Sequence, residues 1–162
     1  MSAAHMIEHS VIAGVLAPIL VLAWIALGLP RPRRGHPVVA WSAFVTAQWV
    51  FHLTPLLEQS QGRPLLHAAE HFAFLAVGVW FWLPVFGPGL GDPGRSPYLF
   101  GAAPAVDLVG VALMVRGDEA AGVAMLVGTL PILLAAGIVT WRWVAREVRG
   151  AVAMEGTHGT AG

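Results

Sequence analysis

Two histidine pairs, His5/His9 and His67/His71, each stand four residues apart near the start of a long apolar run. A spacing of i, i+4 puts both imidazoles of a pair on one helix face, one turn apart, where they can grip one metal ion. His52 falls near the end of the apolar run between them. Glu8 and Glu70 lie within these pairs, placed to accept the second ring N–H of a liganding histidine. Met6 and Met125 add thioethers, and Asp118 adds a carboxylate. Imidazole suits copper, zinc, iron and nickel, and thioether selects Cu(I). The chain has no cysteine, which excludes thiolate sites, disulfides and thiol nucleophiles. Copper fits these donors best, with His5, His9, His52, His67 and His71 as ligands and Met6, Glu8, Glu70, Asp118 and Met125 as contributors.

The elements that must position these donors are membrane helices. Of 162 residues, 57% are hydrophobic and 11% are charged, and the mean hydropathy is +0.71. Soluble domains carry about 25% charged residues. A bilayer core needs roughly 20 apolar residues per helix. The expected spans are Met6 to Leu29, Pro37 to Leu57, Pro64 to Phe86, Tyr98 to Val115 and Glu119 to Val144. The fold class is therefore all-α, a bundle of about five transmembrane helices in one domain over residues 1–149, with 150–162 as a flexible tail. The opening MSAAHMIEH has no positively charged segment, so the first run reads as a retained helix rather than a cleaved signal.

Arginine sets the expected direction. Arg31, Arg33, Arg34, Arg95, Arg142, Arg146 and Arg149 fall on one side of such a bundle, and only Arg63 and Arg116 on the other. The positive-inside rule then puts the N-terminus outside and the C-terminus inside. Trp24, Trp41, Trp80, Trp82, Trp141 and Trp143 fall near the inside ends, as an interfacial belt would. All five candidate ligands then share the outer surface. His36 reads as an interfacial loop residue and His158 as part of the tail. No basic stretch alternates with aromatics, so nucleic acid is not an expected partner.

Blander roles are open for several of these residues. Met114 and Met125 can be packing residues, and Asp118 and Glu119 can cap the last helix. Asp107, near mid-span, is a functional candidate by its cost in lipid. It would serve a proton path or hydrogen-bond to Thr46, Gln48 or Thr129. His67 and His71 are expected to outweigh His5 and His9, which lie close to a terminus.

Several stretches together resemble the cytochrome c oxidase assembly factor CtaG family. His5-Met6-Ile7-Glu8-His9 followed by Ala17-Pro18 resembles its His-Met-x-x-His…Ala-Pro helix. Trp49-Val50-Phe51-His52-Leu53-Thr54-Pro55-Leu56 is similar to its Trp/His/Pro segment. Leu66-His67-Ala68-Ala69-Glu70-His71, Phe74-Leu75 and Phe81-Trp82-Leu83-Pro84-Val85 resemble its Leu-His-x-x-Glu-His…Phe-Trp-x-Pro-Val helix. Asp118-Glu119-Ala120-Ala121-Gly122 and Trp141-Arg142-Trp143 are similar to its final helix. Glu119 stands where the family has Gln, a Trp expected a few residues later is absent, and the first motif begins at residue 5. The chain thus resembles a short or divergent member.

The resemblance implies a copper-handling, multi-pass protein of a bacterial plasma membrane that supplies copper to a haem–copper oxidase subunit. Its partners would be the lipid bilayer and that subunit, and a homo-oligomer is compatible with the sequence. The expected role is a copper chaperone and not an enzyme. The alternatives are a haem-binding membrane cytochrome or a structural subunit of a respiratory complex. His67-x-x-Glu70-His71 also resembles an inverted zinc-protease motif, but the wider chain is similar to a non-protease family.

Overall fold

A computed structural model describes residues 3–30, 36–54 and 62–158, with side chains as far as Val152. Arg31, Arg33 and Arg34 lie outside the described residues, as does the expected end of the second span, Pro55 to Leu57. Every regular element among the described residues is helical. Helix α1 runs Ala3–Ala26 and contains a π segment, Ile12–Leu16. It is followed by α2 (Pro37–Leu53), α3 (Pro64–Phe86) and α4 (Asp92–Val115). Then come α5 (Glu119–Gly128) and α6 (Leu130–His158), joined end to end through Thr129.

Four of these rods are long and apolar enough to cross a membrane: α1, α3, α4 and the joined α5–α6. Helix α2 has 17 described residues, a length of about 26 Å, which falls just short of a bilayer core. Helix α4 corrects the expected span. It starts at Asp92, not Tyr98, because Pro93 sits in its first turn, where the missing N–H costs nothing. Asp92 is held there by Arg95 at 3.1 Å and by Arg146 of α6 at 2.7 Å. Helix α6 continues to His158, through most of the segment expected as a tail. Its Ala, Val, Met and Glu residues are adequate helix formers, and Gly150 subtracts only about 1 kcal/mol.

A tight reversal turns α4 back into α5. At the end of α4, Gly117 takes φ +88°. Its N–H bonds Met114 O at 2.9 Å, and Asp118 N–H bonds Leu113 O at 3.0 Å. This paired closure satisfies the last carbonyls and needs glycine at the left-handed position. Asp118 then opens α5, accepting the Ala121 N–H at 3.2 Å. Asp118 thus fills the helix-cap role open to it in the sequence. Small residues set the closest helix approaches: a Cβ on Gly110 would lie 2.8 Å from Gly122 O across the α4–α5 interface.

The first half of α1 packs on α5 and the second half on α3, while α2 packs on α3 and α4. The starts of α1 and α3 thereby meet the end of α2. Arg116 ties the end of α4 to the same place by donating to Leu53 O at 3.1 Å. The basic cluster of Arg95 and Arg146 marks the opposite end. Trp82 departs from the expected interfacial belt. It is 1% exposed and donates its indole N–H to Ala13 O at 2.9 Å.

That bond falls in the π segment, which explains a feature of α1. His5, His9, Ala13, Ala17 and Val21 are all buried, at a constant spacing of four. In an α-helix each such step overshoots a full turn by about 40°, so the series would wander off one face. The wider π turn, with Ala17 N–H bonded to Ile12 O, takes the drift back out. The two histidines and the small residues below them thus share one face. Gly78 of α3 lies against that face: an added Cβ would sit 3.0 Å from Ala17 Cβ and 3.1 Å from Ala13 Cα. Gly78→Leu should therefore lower stability by about 1–3 kcal/mol or more, measured as thermal unfolding in detergent. Gly137→Ala, with nothing within 4 Å of the added carbon, should not.

Candidate metal centre

The three helix ends bring all five histidines together. Ring centroids lie 5.3 Å apart for His5 and His67, 5.1 Å for His9 and His71, and 5.4 Å for His9 and His52. On α3 the residues His67, Glu70, His71 and Phe74 follow the i, i+3, i+4, i+7 pattern of a single face. That face is turned toward α1. Phe74 forms the floor, stacked on His9 at 4.1 Å and meeting His52 at 5.3 Å.

Hydrogen bonds fix which ring nitrogens carry protons. His52 Nδ1 is 2.7 Å from Gln48 O. A carbonyl only accepts, so that nitrogen bears the hydrogen and His52 Nε2 offers a lone pair. His9 Nδ1 lies 3.4 Å from that lone pair and is the donor. His9 Nε2 is then left with its own lone pair, 3.3 Å from Glu70 Oε1. His5 Nε2 is 3.5 Å from the same oxygen. Two acceptors face each other in a dry place: His9 is 1% exposed and Glu70 4%. His9 Nε2 and both carboxylate oxygens of Glu70 have no hydrogen-bond partner. Buried groups left so carry a penalty of about 1–3 kcal/mol each, unless a cation joins them.

His5, His9 and Glu70 offer one ligand atom each, all within 4.8 Å of one another, and His5, Glu8, His67 and His71 form a second such group. Of the two parts the sequence left open to Glu70, contributor to the site or acceptor behind the histidines, its place beside His5 and His9 favours the first. His52 meets the group through the His9 ring, its Nε2 facing His9 Nδ1. Nothing in the spacing of four marked that difference. Glu70 lies three residues after His67, and that interval was the available signal. Phe74, the next member of the face, was not singled out for the site. Burial differs between the pairs: His9 is the most enclosed and His67 is the most open.

The other sequence candidates stand elsewhere. Met6 and Met125 are fully buried members of the apolar core. Asp107 accepts a hydrogen bond from Thr129 Oγ1 at 2.9 Å, so of the three partners considered for it, Thr129 is the one it meets. His36 precedes α2, at the end remote from His52.

Comparison with known proteins agrees with this arrangement of motifs. Uncharacterized proteins of Mycobacterium bovis (strain ATCC BAA-935 / AF2122/97) and Mycobacterium tuberculosis (strain CDC 1551 / Oshkosh) are each 31% identical over 98 residues. The matched stretch covers 57% of this chain and 15% of each relative, so the chain corresponds to a small part of those proteins. No solved structure matches. The family described as cytochrome c oxidase caa3 assembly factor matches residues 1–121, a range that holds all five clustered histidines, Glu8 and Glu70. Trp141-Arg142-Trp143 falls beyond it. With three-quarters of its length matched by that description, the chain belongs to the cytochrome c oxidase caa3 assembly factor family.

Proposed function

We propose that this protein is a copper-binding membrane chaperone that passes copper to a haem–copper oxidase subunit during assembly. Family membership supports the role in cytochrome c oxidase assembly; the copper cargo is our reading of the site. The observation that carries it is the 3.3 Å approach of His9 Nε2 to Glu70 Oε1, two buried acceptors that a cation would join. Two imidazoles and a carboxylate form a donor set that divalent copper binds more strongly than its first-row neighbours do. With the thioethers of Met6 and Met125 in the core, Cu(II) suits these donors better than Cu(I). Delivery needs only ligand exchange, with no bond made or broken in a substrate.

The orientation proposed from the arginines puts the histidine end outside a bacterial plasma membrane, with five spans and the C-terminus inside. A reporter fused at the C-terminus should read as cytoplasmic; an external reading would overturn that topology. The cargo is tested by metal analysis of protein purified from membranes, against a variant with His5, His9, His52, His67 and His71 all replaced by Ala. Copper in the wild type and none in the variant is expected. Strong visible haem absorption would point to the cytochrome reading instead, and equal copper in both would overturn the chaperone. In cells, the same variant should lower haem–copper oxidase activity, with partial rescue by added copper.

A further inference from the structure

We infer that the mouth of the centre is a second copper position, built from Glu8, His67 and His71, through which the ion enters and leaves the buried one. The inference rests on the copper reading and gives Glu8, His67 and His71 a task separate from that of His9 and Glu70. The ligand atoms of His5, Glu8, His67 and His71 all lie within 4.8 Å of one another, a complete donor group without His9 or Glu70. His71 Nδ1 donates to His67 O at 2.9 Å. That leaves His71 Nε2 with a lone pair directed at Glu8 Oε2, 3.7 Å away.

His5 joins the two groups edge to edge. Its Nδ1 is 3.5 Å from Glu8 Oε2, and its Nε2 is 3.5 Å from Glu70 Oε1. The groups differ sharply in access. The side chains of Glu8 and His67 are 58% and 44% exposed, against 3% for Glu70 and 1% for His9. A copper ion held only by His9, Glu70 and His5 offers an incoming partner no exposed donor to replace. The outer group supplies one. Bonds to His71 and Glu8 can form before those to His9 and Glu70 break, and copper keeps its oxidation state throughout.

The variant His67→Gln/His71→Gln alters only the more exposed side of the site, and Glu8→Ala tests the same position with one exposed change. Each protein is loaded with Cu(II), its fold checked by circular dichroism, and release to excess EDTA is followed. The double variant should still retain copper at equilibrium but release it more slowly, by about tenfold or more, and Glu8→Ala should shift the rate the same way by less. Glu70→Gln should show the complement, a weakly held and rapidly exchanging ion with a different Cu(II) electron paramagnetic resonance spectrum. Loss of all copper from the double variant would mean a single undivided site and overturn the inference. Release at the wild-type rate would overturn it too. Failure of the wild type to bind any copper would overturn the underlying copper reading as well, and is thereby told apart from both.

Discussion

Glu70→Gln should weaken copper binding while making the metal-free protein more stable. The carboxylate is 4% exposed and faces the lone pair of His9 at 3.3 Å. In the metal-free state this is a buried charge opposed by an acceptor. An amide of the same shape removes the charge and can donate an N–H to His9 Nε2, a gain of about 1–3 kcal/mol. The metal-loaded state loses an anionic ligand in a low-dielectric site. Its affinity should fall by more than the roughly 10–100-fold typical of losing an outer partner. Thermal unfolding without metal and Cu(II) competition titration read the two effects separately. Opposite signs are the expected outcome. A fall in both would mark Glu70 as a structural residue.

His52→Leu should lower affinity without removing a ligand. His52 sits between Gln48 O at 2.7 Å and His9 Nδ1 at 3.4 Å, and its role is to keep the His9 proton on Nδ1. Without it, His9 can adopt the other tautomer or turn its ring, and the loss expected for such a partner is about 10–100-fold in affinity. The number of nitrogens coupled to Cu(II) in the resonance spectrum should stay unchanged. One nitrogen fewer would show that His52 binds copper directly. Because protons compete with copper for every liganding imidazole, affinity should also fall as the solution is acidified, in wild type and variant alike.

The histidine end of the bundle was legible in the sequence because period and hydropathy are local properties. A spacing of four marks a helix face, and apolar runs broken by Pro, Gly and Arg mark the ends that bring those faces together. The roles of individual donors were not legible, because they depend on which nitrogen faces which neighbour across helices. The sequence leaves Glu70 either beside the metal or behind it until its oxygen is found next to His5 and His9, and it gives no sign that His52 Nε2 faces His9 Nδ1. Met6 illustrates the same limit: one position after His5, it turns into the core. The π segment of α1 could not be foreseen either, since it arises from the tertiary fit of Ala13 against Gly78 and Trp82. Helix α4 is longer than the expected span because Pro93 and Pro97 read as loop, whereas Pro93 falls in the first turn, where proline is tolerated, and Pro97 lies inside the helix.

In the proposed function, His5, His9 and Glu70 hold copper. X-ray absorption at the copper edge, on protein purified from membranes and loaded with Cu(II), tests it most directly. A first shell of nitrogen and oxygen alone is expected, with the outer scattering of at least two imidazoles, and with one imidazole fewer in His9→Ala. A sulfur neighbour, or a spectrum unchanged in that variant, would contradict the account.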